Sequence, residues 1–141
     1  IIEGKETIHD LSEQVRADLI KMKPQEPWIS LYSRWLENPE FNFFFNQTQT
    51  LLLIYGDSRV KFYRESCTLA VSNIMLAAHA MGIGSCWIGF AFETCNTPDF
   101  KANYNVPAHY DLVAALTLGY KSDDRLSEMS RKPAVIFNRQ G

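Results

Sequence analysis

The stretch from Cys67 to Met81 constrains this chain more than any other. A helix is expected from about Arg59 to Met81, capped by Asp57 or Ser58 and polar in its first turns through Arg59, Lys61, Arg64 and Glu65. From Cys67 onward it is apolar on nearly every side, through Leu69, Ala70, Val71, Ile74, Met75, Leu76, Ala77, Ala78, Ala80 and Met81. A helix that is hydrophobic all round must be enclosed all round. A chain of 141 residues can hardly enclose one helix alone. Either this helix is the axis of the core or a second subunit covers part of it. Gly82 then stands just past the helix end, where a positive φ costs glycine little.

The remaining segments supply what such a helix packs on. Residues 1–4 read as the end of a strand closed by Gly4. Thr7 to about Met22 reads as an amphipathic helix with Ile8, Leu11, Val15 and Leu19 on one face and Asp10, Glu13, Arg16 and Asp18 on the other. Pro24 and Pro27 end it. Trp28 to Leu36 suggests a short helix that stops near Asn38 and Pro39. Phe41 to Phe45 is an aromatic cluster with two readings, core or subunit packing, or a lid over a flat ligand. Thr50–Tyr55 and Tyr110–Gly119 are apolar runs of the kind that form strands buried on both faces. A short strand is expected around Ser85 to Ile88, and a short helix from Thr97 to Tyr104 with Pro98 in its first turn. Asn105 to Pro107 is a turn, and Arg131 to Gly141 reads as an extended arm. The fold class is α+β, in a single domain over 1–141.

Composition narrows the function classes. The net charge is −2 and the Lys and Arg residues are scattered, so there is no basic face to match nucleic-acid phosphates. No apolar run approaches the roughly 20 residues of a membrane helix. Three cysteines, Cys67, Cys86 and Cys95, lack paired spacing, which suggests reduced thiols and a cytoplasmic setting. His9, His79 and His109 lack metal-ligand spacing, so no metal is expected; His79 reads as a hydrogen-bonded core histidine. Cys86 would need a base beside it to act as a nucleophile, and the sequence marks none. No catalytic residue is assigned, and an enzyme without an acid–base or nucleophile set relies on a cofactor.

The informative motif is Met81-Gly82-Ile83-Gly84-Ser85-Cys86-Trp87-Ile88-Gly89. A helix precedes it and a strand follows, so it is neither the dinucleotide fingerprint nor a phosphate-binding loop with GK[ST]. Its glycines let a main chain approach a ligand closely, and Trp87 can pack on a flat ring system. A helix cap followed by a core strand explains it equally well. Arg131 and Lys132 can hold a phosphate, the first by a fork of donors and the second as a point charge, or can lie in a solvated tail.

The stretch Ser72 to Gly89, an Asn-x-Met-Leu-Ala-Ala helix running into Gly-x-Gly-Ser-Cys-Trp-Ile-Gly, resembles the central helix and following strand of the nitroreductase family, the FMN-dependent oxidoreductases. Asn105-Val106-Pro107, the strand Val113 to Tyr120, and Arg131-Lys132-Pro133 are similar to later family segments, and Glu6 to Leu19 to an early helix. The resemblance implies a sheet flanked by helices in an intertwined homodimer, with the long helix at the interface and the C-terminal arm exchanged. It implies FMN, with Cys86, Trp87, Ile88 and Gly89 along one face of the isoalloxazine and Arg131 and Lys132 at the phosphate. It implies ping-pong transfer from NAD(P)H to a small-molecule acceptor such as a nitroaromatic or a quinone, or a related flavin chemistry such as dehalogenation. The family's Arg-rich start and its Gln-Pro-Trp segment have no counterpart here, and position 1 is Ile, so an N-terminally incomplete domain is expected. A non-catalytic dimerisation module, unable to hold FMN alone, is the alternative.

Overall fold

The computed structural model describes residues 1–45, 48–120, 130 and 132–136. Strand β1 (Ile2–Glu3) leads through Gly4 into helix α1 (Lys5–Met22). A 3-10 turn (Pro27–Tyr32) and a one-turn helix α2 (Ser33–Leu36) precede strand β2 (Thr50–Asp57). Helix α3 (Tyr63–Ala80) and strand β3 (Ile83–Ile88) follow, then the short helices α4 (Phe92–Asn96) and α5 (Pro98–Asn103), and finally strand β4 (Tyr110–Tyr120). The strands form one antiparallel sheet in the order β1-β2-β4-β3, so the class is α+β, as expected.

Alternation along the strands gives the sheet two apolar faces. One face carries Leu51, Leu53, Ala115, Cys86 and Ile88, and α1 covers it with Ile8, Leu11, Val15 and Leu19. Each of these four α1 side chains is at most 4% exposed. Burying each contributes about 1.5–3 kcal/mol. The other face carries Leu52, Ile54, Ala114, Leu116 and Leu118, and α3 covers it with Val71, Ile74 and Met75. Between Ala114 and Leu112 the register slips by one residue, leaving Val113 without a partner on β2. This bulge returns Leu112 to the α1 side, where it is 1% exposed.

Several details differ from the sequence expectation. Helix α3 begins at Tyr63, not Arg59, because Asp57 folds back on the next residues: its carboxylate accepts from the Arg59 main-chain N–H at 3.0 Å and from the Arg59 guanidinium at 2.7 Å. The turn ends at Phe62 with φ +66°. Helix α3 is not the axis of the core, since it covers one face of the sheet and leaves Leu69 and Leu76 two-thirds exposed. His79 is exposed on that helix rather than buried in a core. Arg16 is buried, although its neighbours Glu13 and Asp10 are on the solvent side. Helix α4 was not expected; five residues with no apolar period give no signal. The expected arm is described at 132–136, which have no helix or strand and are exposed; the rest of it lies outside the described residues.

Gly56 shows how closely α3 docks on β2. A Cβ at Gly56 would lie 2.6 Å from Tyr63 Cδ2 and 3.0 Å from Cys67 Sγ. Gly56→Ala is therefore expected to destabilise the fold by about 1–3 kcal/mol, read as a lowered urea midpoint. An unchanged midpoint would show that α3 does not seat on β2 as described.

Candidate functional site

Among the described residues strand β3 lies at the sheet edge, bonded to β4 on one side, so alternate main-chain groups on its other side have no strand partner there. The sequence places Cys86, Trp87, Ile88 and Gly89 here in a row, and the strand geometry separates them. Cys86 and Ile88 face α1, and Ile88 is 6% exposed within the core. Trp87 points to the opposite face and is 40% exposed. The side chains of Cys86, Trp87 and Ile88 therefore do not line one common face; what they share is the edge of the strand. Gly89, just past the strand, is exposed, and a Cβ there would meet nothing within 4 Å.

Beyond Gly89 the chain meets an aromatic wall. Phe90 receives Tyr32 and Phe43 edge-on, at ring-centroid distances of 5.0 and 5.2 Å. Tyr32 stacks on Trp35 at 5.0 Å, and Trp35 on Phe41 at 5.8 Å. Edge-to-face and offset-stacked contacts of this kind suit the ring quadrupoles. The two readings of the Phe41 to Phe45 cluster thus divide by residue. Phe43 and Phe44 are core, at 2% and 0% exposed, while Phe45 is 52% exposed. Phe45 borders a cavity of about 230 Å³ at the other end of β3, over the paired glycines Gly84 and Gly119. Cys86 and Thr117 also line it, and Thr117 Oγ1 donates to the Cys86 carbonyl at 3.3 Å.

Lys132 is exposed, and Arg131 lies outside the described residues. The wall residues Tyr32, Trp35 and Phe90 were not singled out from the sequence. The dense aromatic content of positions 28–45 was the available signal, but it does not say which rings meet Phe90. Among the described residues no group of three or more His, Cys, Asp or Glu is placed to hold a metal ion.

The charged pairs belong to packing. Asp111 accepts from the Tyr63 hydroxyl at 2.9 Å and faces Lys101 at 3.5 Å and Arg64 at 3.6 Å, which ties the start of β4 to α3 and α5. The Arg59 guanidinium beside Asp57 holds its carboxyl down at about 2. Among the described residues Cys86 has no acid–base partner: its Sγ contacts the Trp87 carbonyl at 3.7 Å, and burial pushes its thiol up. Burial pushes Cys95 up to about 12. A raised thiol pKa means less thiolate at neutral pH, so Cys86 and Cys95 should alkylate with iodoacetamide at pH 7.5 more slowly than a free thiol. Peptide mass mapping over time reads this, and rapid labelling of Cys86 would reverse the reading.

The same fold recurs in a solved structure, and parts of the sequence in curated proteins. A crystal structure of a nitroreductase with bound FMN from Bacteroides fragilis superposes with a TM-score of 0.78 at 21% identity, covering 99% of this chain and 73% of that one. An iodotyrosine deiodinase of Thermotoga neapolitana is 29% identical over 110 residues, 74% of this chain and 55% of that protein. A Methanothermobacter thermautotrophicus protein carrying an NADH dehydrogenase/NAD(P)H nitroreductase name is 29% identical over 63 residues, 45% of this chain and 33% of that protein. The chain thus spans between a third and about half of the length of these curated relatives. The model of the nitroreductase family matches residues 2–120, from the first residue of β1 to the last of β4. With the whole sheet and its covering helices inside that match, the chain belongs to the nitroreductase family.

Proposed function

We propose that this chain is an FMN-dependent oxidoreductase that moves reducing equivalents from NAD(P)H to a flat organic acceptor such as a nitroaromatic or a quinone. The observation that carries this reading is Gly89. It is exposed, open where a side chain would stand, and lies in the chain between the last residue of β3 and Phe90, the ring that Tyr32 meets edge-on. A planar ring system can reach main-chain contact at such a position, because glycine has no Cβ to hold it off. The family match and the FMN in the Bacteroides fragilis nitroreductase structure support the choice of cofactor.

In this reading the main chain of Cys86 to Gly89 offers hydrogen-bonding groups to the flavin ring, and the exposed part of Trp87 adds apolar contact. Lys132 and Arg131 hold the phosphate. FMN supplies the redox chemistry when bound; the protein supplies place and orientation. The wall excludes water from one side and stacks a flat acceptor, and donor and acceptor use the same space in turn, a ping-pong order. The chain acts as a single domain in a homodimer. Leu69, Leu76 and Met81, all about two-thirds exposed or more on or beside α3, would be covered by the second copy. The C-terminal arm would cross to the partner, with exposed Val135 and Ile136 buried there. Among the described residues no helix is long and apolar enough to cross a membrane, and the free cysteines suit the cytoplasm. The likeness to an iodotyrosine deiodinase favours reductive dehalogenation of a halophenol as a second reading.

The purified protein mixed with FMN should show a perturbed flavin absorbance band that NADH or NADPH bleaches and menadione restores. A flavin spectrum identical to free FMN would overturn the proposal. Iodide release from 3-iodo-L-tyrosine under the same conditions, without menadione turnover, would select the second reading. Gly89→Val should weaken FMN binding about tenfold or more, roughly 1.4 kcal/mol, with little change in urea midpoint, since the position is open. Equal FMN affinity in this variant would separate Gly89 from the site.

A further inference from the structure

We propose that Arg16 is a positioning residue for the acceptor: from inside the fold it sets the aromatic wall in place. The inference rests on the reading of the Gly89 region as the acceptor site.

Arg16 is 8% exposed on a helix whose other buried side chains are apolar, apart from Ser12 one turn earlier. Its salt-bridge partner, Glu13, is on the surface side and takes the Nε donor at 3.2 Å. The rest of the guanidinium goes elsewhere. Nη1 donates to the carbonyls of Trp35 and Leu36, both at 2.9 Å, and Nη2 donates to the carbonyl of Phe41. The guanidinium carbon also lies 5.3 Å from the centroid of the Phe43 ring.

These acceptors are not scattered. Trp35 and Leu36 end α2, a helix of one turn; the Trp35 carbonyl also accepts from the Asn38 N–H at 3.3 Å, so the guanidinium is its second donor. Phe41 lies five residues further on, in the segment between α2 and β2. Ser12 Oγ accepts from the Phe43 N–H at 2.9 Å, adding a second tie from the same helix. Arg16 therefore fixes both ends of the segment from Trp35 to Phe41, and with them two rings that stack on each other. Trp35 in turn carries Tyr32, and Tyr32 and Phe43 both meet Phe90, next to Gly89. A planar fork reaching three carbonyls in two directions is a task for Arg; the ammonium of Lys presents a single point. Moving Trp35 by an ångström relative to Gly89 changes how a ring stacks without touching the groups that face the flavin.

The test compares the full chain with Arg16→Lys, Ser12→Ala and, as a control, Glu13→Gln. Glu13→Gln removes the surface partner and leaves the three carbonyl contacts. Two readings are taken with menadione as the probe. The first is quenching of tryptophan emission, which needs neither flavin nor turnover and is assigned by its loss in Trp35→Phe. The second is KM and kcat for menadione with FMN and NADPH. Arg16→Lys is expected to raise the dissociation constant and KM together by about tenfold or more, with kcat within about twofold. Ser12→Ala should shift both in the same direction by less, and Glu13→Gln should match the parent protein. If Arg16→Lys does not fold, Ser12→Ala decides alone.

Unchanged dissociation constant and KM in a folded Arg16→Lys or Ser12→Ala variant would overturn the proposal, as would an equal fall in kcat and kcat/KM. Failure of the functional reading looks different. There the parent protein with FMN shows no turnover, yet quenching by menadione still reports whether Arg16 holds the wall. Absence of quenching in the parent protein would overturn the Arg16 proposal itself.

Discussion

The structure depends on β4 being enclosed from four directions. β2 and β3 bond its two edges, α1 covers one face and α3 the other. Ala114, Ala115, Leu116 and Thr117 are each at most 4% exposed as a result. A strand in that position has no polar face to spare, which is why it reads as one apolar run rather than an alternation. Every element with a candidate function hangs from it. β3 is held in register by pairing with residues 115–120, so the glycines and Trp87 owe their heights along the sheet edge to β4. The bulge at Val113 does related work at the other end, by bringing Leu112 to the α1 side where α4 packs.

What the sequence made legible follows from this enclosure. The apolar runs at β2 and β4, the helical period of Ile8, Leu11, Val15 and Leu19, and Gly82 with φ +74° are strong local signals that tertiary packing reinforces. The starting point of α3 was not legible, because Asp57 is a good helix cap and an equally good partner for the nearby Arg59. The choice between them depends on how far β2 continues, and β2 runs through Asp57 because β4 pairs it there. His79 misled for a related reason. An apolar neighbourhood in sequence suggested a core, but the helix has one face on the sheet and His79 is on another.

The candidate site was legible as a segment and not as a geometry. Cys86 to Gly89 stood out by their glycines, yet strand alternation sends Ile88 into the core and Trp87 to the other face. Family resemblance pointed to this stretch without resolving which atoms are available on it. The wall was less legible still, since stacking between Trp35 and Phe41 depends on a loop whose ends no propensity fixes. Arg16 reads from the sequence as part of the polar face, and the structure buries it. It falls between Val15 and Leu19 on the buried stripe, one turn after Ser12, and a charge at such a position needs partners that a solvated one does not.

Arg16 also explains why a segment so rich in large rings has a defined shape. Aromatic packing is strong but weakly directional: Trp28, Tyr32, Trp35, Phe41, Phe43 and Phe90 could bury similar area in many arrangements. Main-chain carbonyls are fixed acceptors with narrow geometry, and a buried cation must meet them or bear a large desolvation cost. The rings supply the attraction, and the guanidinium selects one arrangement from the many that attraction alone permits. A wall built this way can change its ring types while the anchor on α1 stays in place. On the proposed reading, acceptor preference could then shift by substitution in residues 28–41 without disturbing the enclosed β4 or the β3 edge.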